Sequence, residues 1–121
     1  MSFKPIELVA CTTLILLTSC APSTSLTDSE QLGRQLFIQN CGSCHATVAD
    51  TLIVGPSLAG IASRAGKTVA DLDARAYIEQ AIIDPGVYVN PGYNNLMPKS
   101  FGAFFSEGEL DALVGYLMTL N

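Results

Sequence analysis

The sequence predicts an all-α protein. Two capping boxes, Thr27-Asp28-Ser29-Glu30 and Ser106-Glu107-Gly108-Glu109, each stand directly before apolar residues that recur at helical spacing. No stretch alternates apolar and polar residues as a half-buried strand must, and no internal repeat is present. The intervals between the periodic segments are rich in Gly, Pro, Ser and Ala, the composition of loops.

Taken in order, the chain opens with a targeting segment. Residues 6–19 are apolar and follow Lys4, too short for the roughly 20 residues of a membrane-spanning helix and shaped like the apolar region of a signal peptide. The end of this segment, Leu17-Thr18-Ser19-Cys20, resembles the signal of bacterial lipoproteins, in which cleavage precedes the cysteine and lipid is added to its sulfur. That resemblance implies a signal over 1–19 and lipid on Cys20. An ordinary cut near Ala21, or an uncleaved anchor, is the competing reading. Residues 20–26 then form the lipidated cysteine and a small, polar tether, and 27–121 form one domain.

Within that domain, the box at Thr27 starts a first helix in which Leu32, Leu36 and Phe37 face inward, up to Asn40. Residues 46–67 have no period and read as loop. Thr68 and Asp71 can cap a second helix with Leu72, Tyr77, Ile78, Ala81 and Ile82 inward, stopped by Asp84-Pro85. A loop containing Pro91, Gly92 and Pro98 leads to the last helix, which carries Leu110, Leu113, Val114, Leu117 and Leu120.

The chemistry is concentrated in Cys41-Gly42-Ser43-Cys44-His45, directly after the first helix. Two thiols three positions apart can reach two vinyl groups along one edge of a porphyrin, and the adjacent imidazole is then carried under the ring centre. The pattern therefore points to one covalent haem c, with His45 as an iron ligand. His45 is the only histidine of the chain, so a second imidazole ligand from the same chain is impossible. A redox dithiol would want a βαβ setting, and a zinc site would want a second pair of ligands; neither is in the sequence. Of the four cysteines, Cys11 would leave with the signal, Cys20 would carry lipid, and Cys41 and Cys44 would carry haem.

Charge narrows the partners. Of the six basic and eleven acidic residues, Lys4 and Glu7 lie in the leading segment, leaving five against ten. Nucleic acid is excluded by this balance, because phosphates demand clustered Lys and Arg. A partner with a neutral or basic docking face is compatible with it.

From these residues the chain resembles the class I cytochromes c over nearly all of 27–121. Gly33 and Phe37 stand eight and four residues before Cys41, as they do in that family, and Leu113-Val114-Gly115-Tyr116-Leu117 is similar to its terminal-helix pattern. The resemblance implies a small class I cytochrome c fold, its N- and C-terminal helices crossing around one covalently bound haem. It also implies that the Pro56 carbonyl, in Gly55-Pro56-Ser57-Leu58, accepts a hydrogen bond from His45. Arg64 would face a haem propionate, its competing reading being a solvated loop charge. Met97, in Asn94-Asn95-Leu96-Met97-Pro98, would be the second axial iron ligand, against the plainer reading of a core-filling methionine; Met118 reads as packing in the last helix.

A narrower likeness is to the haem domain attached to subunit II of some bacterial terminal oxidases and to stand-alone lipoprotein cytochromes. It rests on residues 77–85 and on Tyr88-Val89-Asn90-Pro91-Gly92-Tyr93 through Met97-Pro98. No copper-binding domain precedes this one, and the chain has no Trp, so Tyr77 or Tyr93 is the available substitute for the tryptophan that relatives place at a propionate. The resemblance implies single-electron transfer with membrane-bound redox complexes, a terminal oxidase or a quinol-oxidising complex, on the extracytoplasmic side of a bacterial membrane. A haem-based peroxidase, a gas-binding sensor and a structural haem subunit are the alternatives.

Overall fold

A computed structural model describes Met1 and residues 25–121. The expected signal over 1–19 and the lipid-bearing Cys20 lie outside the described residues. Five helices follow one another: α1 (Asp28–Asn40), α2 (Ile61–Ala65), α3 (Ala74–Ile83), α4 (Phe101–Phe104) and α5 (Glu107–Leu117). Among the described residues there is no strand, and no helix is long and apolar enough to cross a membrane.

Both capping boxes form. The Thr27 hydroxyl accepts from Glu30 N while the Glu30 carboxylate accepts from Thr27 N, and Ser106 and Glu109 repeat the arrangement on α5. Each reciprocal cap satisfies two backbone donors that a helix start otherwise leaves unpaired, worth about 1 kcal/mol. The same logic starts α3 at a residue other than the expected one. Asp73, not Thr68, is its N-cap, accepting from Ala76 N at 2.8 Å. Asp71 has φ 65°, a left-handed conformation that a continuing helix cannot include, so the Thr68 start fails there. Asp84 ends α3 as expected.

α1 and α5 cross, and Gly33 marks the crossing. A Cβ at Gly33 would collide with the Ala112 carbonyl, standing 2.6 Å from its carbon and 2.8 Å from Tyr116 Cβ. Only a glycine lets the two backbones approach this closely. Phe37 packs its ring against Tyr116 there, centroids 5.7 Å apart, and Leu113 and Val114 of α5 are fully buried beneath. Leu32, expected inward, is 42% exposed. Gly33, one residue on, takes the crossing position, and the face of α1 rotates to follow Gly33, Leu36 and Phe37.

Two one-turn helices lie in segments that read as loop. α2 follows Gly60, which adopts φ 67° as its N-cap, and buries Ile61 and Ala65 in the core. α4 lies within an aromatic run in which Phe101, Phe104 and Phe105 pack on one another, Phe101 and Phe105 stacked at 5.5 Å. α3 joins the core through Tyr77, Ile78 and Ile82.

Candidate haem site

The motif Cys41–His45 sits on the last turn of α1 and its continuation. Cys41 N and Gly42 N both donate to Phe37 O, and Cys44 N and His45 N both donate to Cys41 O. This single tight turn sets the two thiols on neighbouring positions and sends the imidazole out beside them. Cys41 and Cys44 are both free thiols. Burial, with neighbouring Cys44 second, pushes the Cys41 thiol up from an ordinary 9.0 to about 11, so it stays protonated at neutral pH.

His45 is fixed from behind by the loop at 54–59. Gly55 N donates to Cys44 O at 2.9 Å and Leu58 N to Ala46 O at 2.7 Å, which returns this loop against the motif. His45 Nδ1 lies 2.9 Å from Pro56 O. A carbonyl oxygen can only accept, so Nδ1 carries a proton, and in the neutral ring the lone pair is then on Nε2. Gly55 is pressed on the ring itself: a Cβ there would stand 2.8 Å from Nδ1 and 2.9 Å from Nε2.

In front of the imidazole opens a cavity of about 250 Å³, lined by Cys41, Cys44, His45, Val54 and Pro56 from one part of the chain. Tyr77 and Ala81 of α3 line it too, as do Tyr88, Val89, Tyr93, Asn94, Asn95, Leu96, Met97 and Phe101. No charged side chain is among the lining residues. A smaller apolar recess adjoins it, sharing Cys41, His45, Tyr77, Ala81 and Met97 and reaching Leu117 of the core. Met97 is half-buried and packs against the core cluster.

The family model for cytochrome c matches residues 30–121, three-quarters of the chain. The chain belongs to the cytochrome c family. No curated protein sequence matches it. Among solved structures it is similar to an engineered cytochrome c from Rhodothermus marinus bound to a carbene intermediate, at 22% identity and a TM-score of 0.48. That match covers 83% of this chain and 88% of the other.

Cytochromes c bind haem covalently, and this cytochrome has Cys41 and Cys44 in the Cys-x-x-Cys-His spacing. Its residues fit the group. Two thiols and an imidazole with a free Nε2 stand on one turn, a glycine leaves room for the imidazole, and an uncharged, largely apolar cavity spreads before them. Cys41, Cys44, His45, Pro56 and Met97 all line the cavity; Met118, at the end of α5, does not. Arg64 does not line it either. It is exposed on α2, and its guanidinium donates to the carbonyls of Ser57 and Ala59. Sequence reading missed Gly55 as a contact of the imidazole, and Phe101 as a wall of the cavity. A glycine directly before the motif's proline, and the aromatic run after Pro98, were the available signals.

Proposed function

We propose that this cytochrome is a lipid-anchored single-electron carrier serving membrane-bound redox complexes, a terminal oxidase or a quinol-oxidising complex, outside the cytoplasmic membrane. The observation that carries the electron-transfer reading is the convergence of Cys41, Cys44, His45 and Met97 on one uncharged cavity. Cys41 and Cys44 would hold the haem through thioethers, and His45 Nε2 and Met97 Sδ would be its axial donors. When bound, the haem supplies a one-electron ferric/ferrous couple. The Pro56 carbonyl orients His45 and raises its basicity through Nδ1. As a donor to the haem, the thioether of Met97 would favour the ferrous state and so a higher potential. Tyr88, Val89 and Leu96 would line the pocket that holds the ring.

Anchoring rests on the lipoprotein-like end of the leading segment, Leu17–Cys20. Between Cys20 and the cap at Thr27 the tether has about seven steps, an r.m.s. span of roughly 15 Å. The domain is about 30 Å across. Held by acyl chains on Cys20, it stays beside the bilayer and meets its partners in two dimensions, because two or more chains hold far better than one.

Met97→Ala is expected to abolish the near-infrared sulfur-to-iron charge-transfer band and to lower the potential, while Met118→Ala changes neither. The reverse result moves the ligand to the end of α5 and sinks the assignment. Ready binding of carbon monoxide by the unmodified ferrous protein would favour the gas-binding reading instead. Cys20→Ser is expected to release a soluble, haem-loaded protein from the membrane fraction. Wild-type protein found soluble, with Cys20 unmodified by mass spectrometry, would refute the anchor.

A further inference from the structure

Residues 48–54 are the least expected part of the surface. All of them are exposed, and four are large aliphatics: Val48 at 66%, Leu52 at 70%, Ile53 at 48% and Val54 at 49%. The segment projects as a closed loop. Its legs are tied where Leu58 N donates to Ala46 O and Ser57 Oγ donates to Val48 O, both at 2.7 Å, and Asp50 turns the chain at φ 55°. Leu52-Ile53-Val54 is thus a run of consecutive apolar side chains held out in water, a pattern that favours association unless something covers it. The composition of the loop selects the cover. Protein interfaces draw most of their affinity from Trp, Tyr and Arg, with Leu and Val under-represented. None of those anchors is in this loop; Asp50 is its one charge and Thr51 its one hydroxyl. A narrow aliphatic tip suits hydrocarbon, which asks for no hydrogen bonds and rewards buried apolar area alone.

Position agrees with composition. α1 has 13 residues, about 20 Å of helix, and runs from the tether at one end to the haem motif and this loop at the other. From Gln31 to Asn40 its one charged residue is the cation Arg34, and Leu32 and Ile38 are exposed on it. Most of the acidic residues, whose burial against lipid would be costly, stand from Asp71 onward. A tether with an r.m.s. span of roughly 15 Å keeps some face of the domain at the bilayer. We propose that the 48–54 loop is a second membrane contact, with Leu52-Ile53-Val54 seated in the lipid surface and Asp50 among the headgroups. This inference rests on the lipid anchor at Cys20. One contact lets the domain swivel, whereas two fix its orientation. Val54 and Cys44 both line the haem cavity, so the loop holds that edge of the cavity beside the bilayer. A redox complex in the same membrane then meets it at a constant height.

A nitroxide on Ile53→Cys in the haem-loaded, lipid-bearing protein, reconstituted in phosphatidylcholine vesicles, reads the depth of the loop. The label at position 53 is expected to lose its access to a water-soluble nickel chelate and to gain access to dissolved oxygen. A label on Glu79→Cys, exposed on α3, is expected to keep its access to the chelate. If Ile53→Cys yields no haem protein, Leu52→Cys carries the label instead. Vesicle-bound protein whose label at 53 stays as open to the chelate as that at 79 overturns the proposal and leaves the anchor intact. Shielding at 53 in the Cys20→Ser protein, free of detergent and vesicles, assigns the loop to a second copy of the chain and overturns the proposal too. Shielding that comes only when a membrane redox complex is added to the vesicles assigns the loop to a protein partner, again against it. Protein that fails to sediment with the vesicles, with Cys20 unmodified by mass spectrometry, overturns the anchor and the proposal with it.

Discussion

Gly55 is the position at which one added carbon does most harm. Its missing side chain is the space the imidazole occupies, with Nδ1 and Nε2 both inside 3 Å of where a Cβ would be. Gly55→Ala must turn the ring or push back the loop, and either breaks the 2.9 Å contact with Pro56 O. The variant is expected to mature poorly and to lose about 1–3 kcal/mol, the usual cost of overpacking. Guanidinium titration of the haem-loaded protein would measure the loss. A stability and a potential matching the wild type would show that the ring has room to spare. His45 was legible in the sequence because its neighbours are adjacent in the chain. The role of Gly55 was not, because it arises only when a loop ten residues away folds back onto the ring.

At the scale of elements, what was readable were the helix starts that use side chains. Thr27–Glu30 and Ser106–Glu109 fix α1 and α5 through contacts three residues apart, so sequence spacing alone reveals them. α2 and α4, of five and four residues, are too short to show a period. The start of α3 was misplaced because Asp71 takes a left-handed turn at φ 65°, which the Thr68–Asp71 spacing does not reveal. One cap yields a pH prediction. Hydrogen bonds from the Ser106 hydroxyl, and then from its backbone N–H, hold the Glu109 carboxyl below its ordinary 4.5. A depressed pKa contributes stability that is present above the ordinary value and is lost as pH falls through the folded-state value. Glu109→Gln keeps a capping side chain but cannot titrate. Its deficit relative to wild type is therefore expected to shrink as pH drops below 4.5, as followed by urea midpoints across a pH series. A deficit that stays constant would mean that the charge contributes nothing.

For the whole molecule, the cofactor and the core are one system. The recess beside the main cavity runs from His45 and Met97 to Leu117, so the haem site and the helix crossing share walls. A domain of about 100 residues has a modest apolar core, and a bound porphyrin would add to its contacts through these walls. Replacing Cys41 and Cys44 together by Ala is expected to abolish covalent haem and, with it, cooperative folding, seen as loss of a sharp thermal transition by circular dichroism. A double variant that stayed helical and compact without haem would show that the α1–α5 crossing suffices alone. The fold class was legible because capping boxes and helical periodicity are each local to one helix. The shared walls were not, since they join residues from every part of it.

The placement of the tyrosines has an optical consequence. The chain has no tryptophan, so its ultraviolet emission comes from four tyrosines. Tyr77, Tyr88 and Tyr93 stand in the cavity wall, and Tyr116 lies on the crossing against Phe37. A porphyrin absorbs where tyrosine emits, and it drains the excited state of any ring held against it. The folded, haem-loaded molecule is therefore dark. Light returns as the wall lifts away, so the cytochrome carries a built-in gauge of its own opening that needs no label.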